Sequence, residues 1–354
     1  MEHLLKGRGA TINPAGRFAS VESQSVDDGW YQEETPDSVA TEVRPEAARS
    51  VISRNESPDI PFSQSINPYR GCEHGCIYCY ARPSHAYVDL SPGLDFETRL
   101  FYKADAARLL REEISRPSYR PQPIMLGANT DPYQPVEKRL HVTRDVLEVL
   151  LAARHPLTIV TKGSLVLRDL DLLQEFAGLN LVRVTVSLTT LDPELKRTLE
   201  PRTASPQARL RVISALAAAR VPVGVLTAPM IPAVNDSELE SLLEAAAAAG
   251  ARYAGYTLLR LPHEVKELFR AWLDQHLPLR AAHVMSLIQQ ARGGRDNDPR
   301  FGHRMRGDGP WAAMLRARFE LARKRLKLEG GRLPEFDLSQ FRPPAGSRQM
   351  ELLL

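Results

Sequence analysis

The sequence predicts an α/β chain built on a parallel sheet. From Ser65 onward, short apolar runs alternate with segments whose apolar residues recur at the helical spacing, the pattern of repeated βα units. Cap residues support the helix boundaries: Asp236-Ser237 opens one helical segment and Gly250 closes it. The chain has 354 residues, 43% of them hydrophobic and 25% charged, enough for a substantial core in two small domains or one α/β barrel with attachments.

Residues 1 to about 60 are poor in apolar side chains, rich in Gly, Ser, Glu and Asp, and without sustained period. They read as an extended or partly disordered arm, with Trp30 and Tyr31 as anchors and Gly7-Arg8-Gly9-Ala10 and Asn13-Pro14 as a flexible tail or a basic contact for a polyanion. Met1 to Gly7 holds no apolar h-region, so a secretory signal is not expected.

Residues 61–276 form the core. Its predicted strands are Gln64–Pro68, Pro123–Asn129, Leu157–Lys162, Val182–Thr190, Val221–Pro229 and Tyr253–Arg260. Between them Ala104–Ser115, Thr143–Arg154, Arg168–Ala177, Ser205–Arg220 and Ser237–Gly250 have helical apolar spacing. Periodicity alone leaves open whether six strands and five crossovers curl into a barrel or lie as an open doubly wound sheet. The most apolar window, Leu242 to Leu259, is interrupted by Glu244 and Arg252, which argues against a membrane span.

After helix-like Glu264–Gln275, residues 277–354 read as a helical, basic extension: Ala282–Ala291, a Gly/Arg/Asp-rich connector from Arg292 to Gly309, and a helix over Trp311 to Leu328. It is expected to cap the barrel mouth or its side. Net charge is only +3, but Glu22 to Glu46 holds eight acids and one base while Arg292 to Arg332 holds twelve Lys/Arg and five Asp/Glu. The basic end reads as a solvated helix face, a surface covered by the acidic segment, or a nucleic-acid contact.

All three cysteines, Cys72, Cys76 and Cys79, lie within Asn67-Pro68-Tyr69-Arg70-Gly71-Cys72-Glu73-His74-Gly75-Cys76-Ile77-Tyr78-Cys79-Tyr80. Tight spacing and an odd count disfavour disulfides. One reading is a Cys3His zinc site completed by His74 or His85, in a non-catalytic module that binds nucleic acid through the basic helix. The other is an iron–sulfur cluster, which normally takes four thiolates, so that three leave one iron open.

Cys-x3-Cys-x2-Cys with Tyr78 before the third cysteine resembles the signature of the radical S-adenosylmethionine (SAM) superfamily. The wider run, Arg70-Gly71-Cys72 through Cys79-Tyr80-Ala81-Arg82 with His85 and Tyr87, is similar to the branch that includes spore photoproduct lyase. The resemblance implies a partial (β/α)6 TIM-like barrel flanked by the N-terminal arm and the C-terminal helical extension. It implies a [4Fe-4S] cluster on Cys72, Cys76 and Cys79 whose open iron chelates SAM, and reductive cleavage of SAM to a 5′-deoxyadenosyl radical that abstracts hydrogen from a substrate. Its implied partners are a one-electron donor such as a flavodoxin or ferredoxin and, by likeness to the photolyase-like branch, a nucleic-acid substrate. An oxygen-sensitive cluster without disulfides suits the cytoplasm, with no membrane partner.

Carried onto the strand ends, the resemblance places cofactor contacts beside Tyr78. The superfamily often has a glycine-rich stretch after the second strand; here Asn129, Thr130 and Asp131 stand in its place. Lys162 ends the third strand and is expected to meet the SAM carboxylate. Ser187 and Thr189 share a face of the fourth and suit a ribose or carboxylate. Arg202 and Arg209 follow as basic candidates, Leu226 to Pro232 as an adenine wall, and Arg260 as a holder of an anionic substrate or one half of a structural ion pair. A further cysteine, on which the lyase looks to depend as hydrogen donor, has no counterpart, and with all three committed to iron, auxiliary cysteine-ligated clusters are excluded.

Overall fold

All six predicted strands fold as strands of one sheet. The computed structural model describes residues 7–19, 39–329 and 333–344. In chain order its strands are β1 (Glu42–Pro45), β2 (Ile52–Arg54), β3 (Gln64–Ile66), β4 (Tyr69–Arg70), β5 (Arg99–Tyr102), β6 (Ile124–Leu126), β7 (Leu157–Thr161), β8 (Val182–Ser187), β9 (Val223–Met230) and β10 (Ala254–Leu258). The main sheet has the order β10-β9-β8-β7-β6-β3-β2. Its neighbours from β3 to β10 pair in parallel, and β2 adds an antiparallel edge.

Register aligns apolar residues across the sheet: Ile124 opposite Leu157, and Leu157 opposite Val182. All three are fully buried, as in a parallel sheet covered by its crossover helices. Those helices bury the stripes their spacing predicts: Leu109, Leu110 and Ile114 of Ala106–Ile114, Val146, Leu147 and Leu150 of Val142–Ala152, Leu173 and Phe176 of Leu170–Gly178, Val212, Ile213 and Leu216 of Pro206–Ala218, and Leu239, Leu242, Leu243 and Ala246 of Leu239–Ala248. No helix among the described residues is long and apolar enough to cross a membrane.

The structure departs from the sequence reading at both ends. Arg8, Gly9 and Ala10 are buried rather than a loose tail or a polyanion contact, because neighbouring carboxylate and carbonyl groups satisfy their donors. The expected anchors Trp30 and Tyr31 lie outside the described residues. A three-stranded sheet, β1-β5-β4, forms beside the main one; its strands, of two to four residues, are too short to register as periodic runs. Asp236 does not cap the helix it precedes; its carboxylate accepts from Trp311 Nε1 at 2.9 Å.

The C-terminal helix (Gly309–Arg325) lies along the side of the fold. Arg318 and Arg325 pair with Glu240 and Glu244 of helix Leu239–Ala248, while Leu315 and Phe319 enter the core. Much of its basic character is thus met by acids of the same chain. Beyond it, Leu328 O accepts from Ala254 N at 3.1 Å, covering part of the β10 edge that would otherwise present unpaired backbone.

At the amino ends of the strands Tyr119 Oη lies 2.7 Å from His155 Nε2, and Phe341 packs against both rings. His155 Nδ1 donates to Pro156 O at 3.0 Å. Burial, offset only in part by that bond, pulls the imidazole from its ordinary 6.5 to about 4. In that window the unfolded chain binds the proton and the folded one does not. Stability against urea is therefore expected to be complete above about pH 6.5 and to decline as pH falls toward about 4. Urea titrations at stepped pH check this, and His155→Gln is expected to flatten the decline.

Candidate active site

β3 ends at Ile66, and through Asn67 and Pro68 the chain turns into β4 and the cysteine loop. Cys72 and Cys76 are buried, Cys79 partly so, and all three are free thiols. Cys72 N donates to Phe96 O at 2.9 Å, Ile77 N to Leu199 O at 3.1 Å and Cys79 N to Cys76 O at 3.2 Å. Among the described residues the only three thiol, imidazole or carboxylate ligand atoms lying within 4.8 Å of one another belong to Asp298, His303 and Asp308. His74 and His85, which a zinc reading would recruit, are buried with one ring nitrogen of each engaged: His74 Nδ1 lies 3.3 Å from an Asp131 oxygen and His85 Nε2 2.9 Å from Arg99 O, while His85 Nδ1 has no partner among the described residues.

Behind the loop lies a fully buried ion pair. Arg82 donates from Nε to Cys76 O at 2.9 Å, from Nη1 to Gly93 O at 2.8 Å and from Nη2 to Glu97 Oε1 at 2.6 Å. Glu97 also accepts from Gly9 N at 2.9 Å and Ala10 N at 2.8 Å, and its backbone carbonyl accepts from Arg8 Nη1 at 2.9 Å. The N-terminal arm is thus a strap seated on the back of the cysteine loop. Two glycines make the approach possible: a Cβ on Gly9 would stand 1.8 Å from Gly75 O, and one on Gly75, whose φ is +67°, 2.7 Å from a Glu97 oxygen.

The front of the loop joins the other strand ends. Asp131 accepts from Thr161 Oγ1 at 2.7 Å, Lys162 N at 2.7 Å and Tyr133 N at 2.8 Å. Burial alone would raise its carboxyl, but His74 and these donors hold it below the usual range. Glu73 N donates to Gln134 Oε1 at 2.8 Å, and the Glu73 carboxylate accepts from Thr41 at 2.7 Å and Arg202 at 3.0 Å.

Five of the seven residues expected to contact the cofactor meet in one polar network. Lys162 Nζ lies 2.6 Å from Ser187 Oγ, 3.2 Å from Thr189 Oγ1 and 3.1 Å from Glu200 Oε1. Tyr78 Oη and Arg209 also bond to Glu200. Burial pushes the Glu200 carboxyl up, yet Arg209, Lys162 and the hydroxyls of Tyr78 and Thr189 together hold it far below the usual range. All three Arg209 guanidinium nitrogens are spent, on Ala204 O, Ser187 O, Glu200 and Thr203, so this residue reaches the mouth only through Glu200. Thr130 is likewise turned to structure, donating to Tyr69 O at 2.9 Å. Asn129 donates its backbone N–H to Asn67 Oδ1 at 2.9 Å; its side chain is without a partner among the described residues.

Glu200, Glu97 and Arg82 organise the site without having been singled out as site residues by sequence. Arg82 stands in the motif run. Glu97 has no local signal, since its partners come from residues 8–10 and 82.

Fold and loop define an α/β protein with a three-thiol centre where its parallel strands end. The sequence model of the radical SAM superfamily matches residues 66–246, just over half the chain, and the chain belongs to that superfamily. An uncharacterised protein of Mycobacterium tuberculosis is 44% identical over 221 residues, 62% of this chain and 65% of the relative. One of Methanocaldococcus jannaschii is 27% identical over 191 residues, 54% of this chain and 68% of the relative. The match thus spans somewhat less than two thirds of the mycobacterial relative. Among solved structures, spore photoproduct lyase complexed with dinucleoside spore photoproduct superposes with a TM-score of 0.59 at 17% identity, covering 80% of this chain and 79% of that one. A point mutant of the same lyase gives 0.58 at 18% identity, covering 81% and 79%. At such identities the likeness is one of fold.

The strap makes a testable demand on the loop. Gly9→Val, which cannot seat against Gly75, and Glu97→Gln, which leaves Arg82 buried with its charge unmatched at a cost of about 3–5 kcal/mol, are both expected to be less stable than wild type. Urea unfolding followed by circular dichroism checks this.

Proposed function

We propose that this chain is a radical SAM enzyme in which Cys72, Cys76 and Cys79 hold a [4Fe-4S] cluster and the adjoining strand ends receive SAM. The observation that carries the reading is the spacing of three free thiols on one loop at the strand ends. The match of the family model to residues 66–246 favours this reading over a zinc-binding module. The progressive order of parallel strands from β3 to β10 supports reading the sheet as a partial (β/α)6 barrel.

Held by Cys72, Cys76 and Cys79, a reduced cluster would supply the one electron needed to cleave SAM to methionine and a 5′-deoxyadenosyl group able to take hydrogen from a substrate C–H. The protein's part is to position the reactants and exclude water. Lys162, 15% exposed at its side chain, carries the charge that faces the opening, and a carboxylate there replaces its hydroxyl partners with a stronger, charge-assisted bond. Glu200 keeps Lys162 and Tyr78 in place, and Arg209 keeps Glu200 ionised. Asn129, unengaged at the end of β6, offers an amide to the same ligand.

The electron comes in this reading from a one-electron donor such as a flavodoxin or ferredoxin. Nucleic acid is the substrate class that the fold's likeness to spore photoproduct lyase suggests. The basic C-terminal helix adds little to it, since Arg318 and Arg325 are paired within the chain.

Anaerobic reconstitution is expected to give about four irons per chain and 5′-deoxyadenosine on addition of SAM and dithionite. Cys76→Ser is expected to lose both. Lys162→Gln is expected to keep its iron and raise the SAM concentration needed for half-maximal cleavage about tenfold or more, the worth of one charged hydrogen bond. One colourless zinc per chain, with no 5′-deoxyadenosine, overturns the assignment.

A further inference from the structure

Two tyrosines flank the third cysteine in sequence, and each carries a cation over its ring. Lys162 Nζ stands 5.6 Å from the centre of Tyr78, and the Arg260 guanidinium carbon 5.3 Å from the centre of Tyr80. The two cations are differently supplied. Lys162 has Glu200 and two hydroxyls within reach. Arg260, two residues past the carboxyl end of β10, forms no ion pair among the described residues; its one polar contact is Nη1 to Met305 Sδ at 3.9 Å, and its Nε is buried without a partner.

The surrounding charges do not make up the deficit. Arg304 takes the one nearby acid: its Nε pairs with Asp59 and its Nη2 donates to Ser57 Oγ at 2.5 Å. Arg292 spends its donors on backbone carbonyls, Leu259 O at 2.6 Å and His303 O and Arg304 O at 3.0 Å each. Burial, then the neighbouring charge of Arg304, both disfavour the protonated form of Arg260. A half-buried guanidinium ordinarily has an acid or carbonyls to answer it. Here it has an aromatic ring, Tyr80, which is 45% exposed, adjacent in sequence to Cys79, and fixed by a bond from its hydroxyl to Ala128 O after β6.

We propose that Arg260 binds an anionic group, a phosphate or a carboxylate, on the substrate of this enzyme. The inference rests on the active-site reading given above and adds a substrate feature to it. An arginine fork takes either oxyanion in a bidentate grip, and the Tyr80 ring beneath it holds the guanidinium in place by a cation–π contact.

The test uses reconstituted wild type, Arg260→Gln, Arg260→Lys and, as a remote control, Arg108→Gln. Calorimetric titrations with pyrophosphate and with glutarate are run in saturating SAM, so that the cofactor's own carboxylate site is filled. Wild type and Arg108→Gln are expected to bind at least one of the two probes equally well. Arg260→Gln is expected to bind it about tenfold or more weakly and Arg260→Lys to an intermediate degree. Preference for pyrophosphate assigns the site to phosphate, preference for glutarate to carboxylate. Equal binding by Arg260→Gln, or no binding of either probe to wild type, overturns the inference. Iron content and circular dichroism report whether each variant folds, and Arg260→Lys decides if the glutamine variant does not. Formation of 5′-deoxyadenosine by wild type is followed in parallel: its absence sinks the active-site reading, whereas its presence with unchanged anion binding in Arg260→Gln sinks only the role of Arg260.

Discussion

The Arg82–Glu97 pair, removed from solvent on both sides, is the interaction on which the centre of this molecule depends. Charges in such a position are tolerated only when every remaining donor and acceptor is answered. Arg82 answers with Cys76 O and the carbonyls of Pro92 and Gly93, and Glu97 with the backbone of Gly9 and Ala10. The geometry of a loop with no regular secondary structure of its own is thereby set from outside, by a charge pair that cannot shift without stranding one of its members.

In front of the loop a second buried acid does comparable work. Glu200 gathers Tyr78, Thr189, Lys162 and Arg209, four groups contributed by the cysteine loop, two strand ends and a helix. Two cations against one carboxylate leave this cluster with an excess positive charge, suited to an anionic ligand end. Arg209 is the less available of the two, since its donors face inward.

How much of this is legible in sequence follows from the range of the forces involved. Strands β6 to β10 are each a short, largely apolar run between turn residues, so local pattern reveals them; β3, Gln64-Ser65-Ile66, is shorter and mostly polar. Ser187 and Thr189 share a face because side chains alternate, and Lys162 is conspicuous at the end of an apolar strand; both facts are local. Glu97 looks like any helical acid until Gly9 is seen beside it, and Arg8 looks like a solvated terminus until Glu97 O is. β1 escapes notice because Glu42 to Pro45 has no apolar alternation and owes its strand form to β5. In the basic run after Arg292, the pairing of Arg318 and Arg325 with Glu240 and Glu244 is likewise hidden, because those acids lie on a distant segment.

The strap has a bearing on the order of assembly. Arg8 and Glu97 are 89 positions apart, and closing so long a loop costs chain entropy before any contact repays it. During synthesis residues 8–10 leave the ribosome well before the acid that will receive them, so they wait unpaired while the first strands form. Until Glu97 has been made, residues 8–10 lack their partner and the back of the cysteine loop stands open.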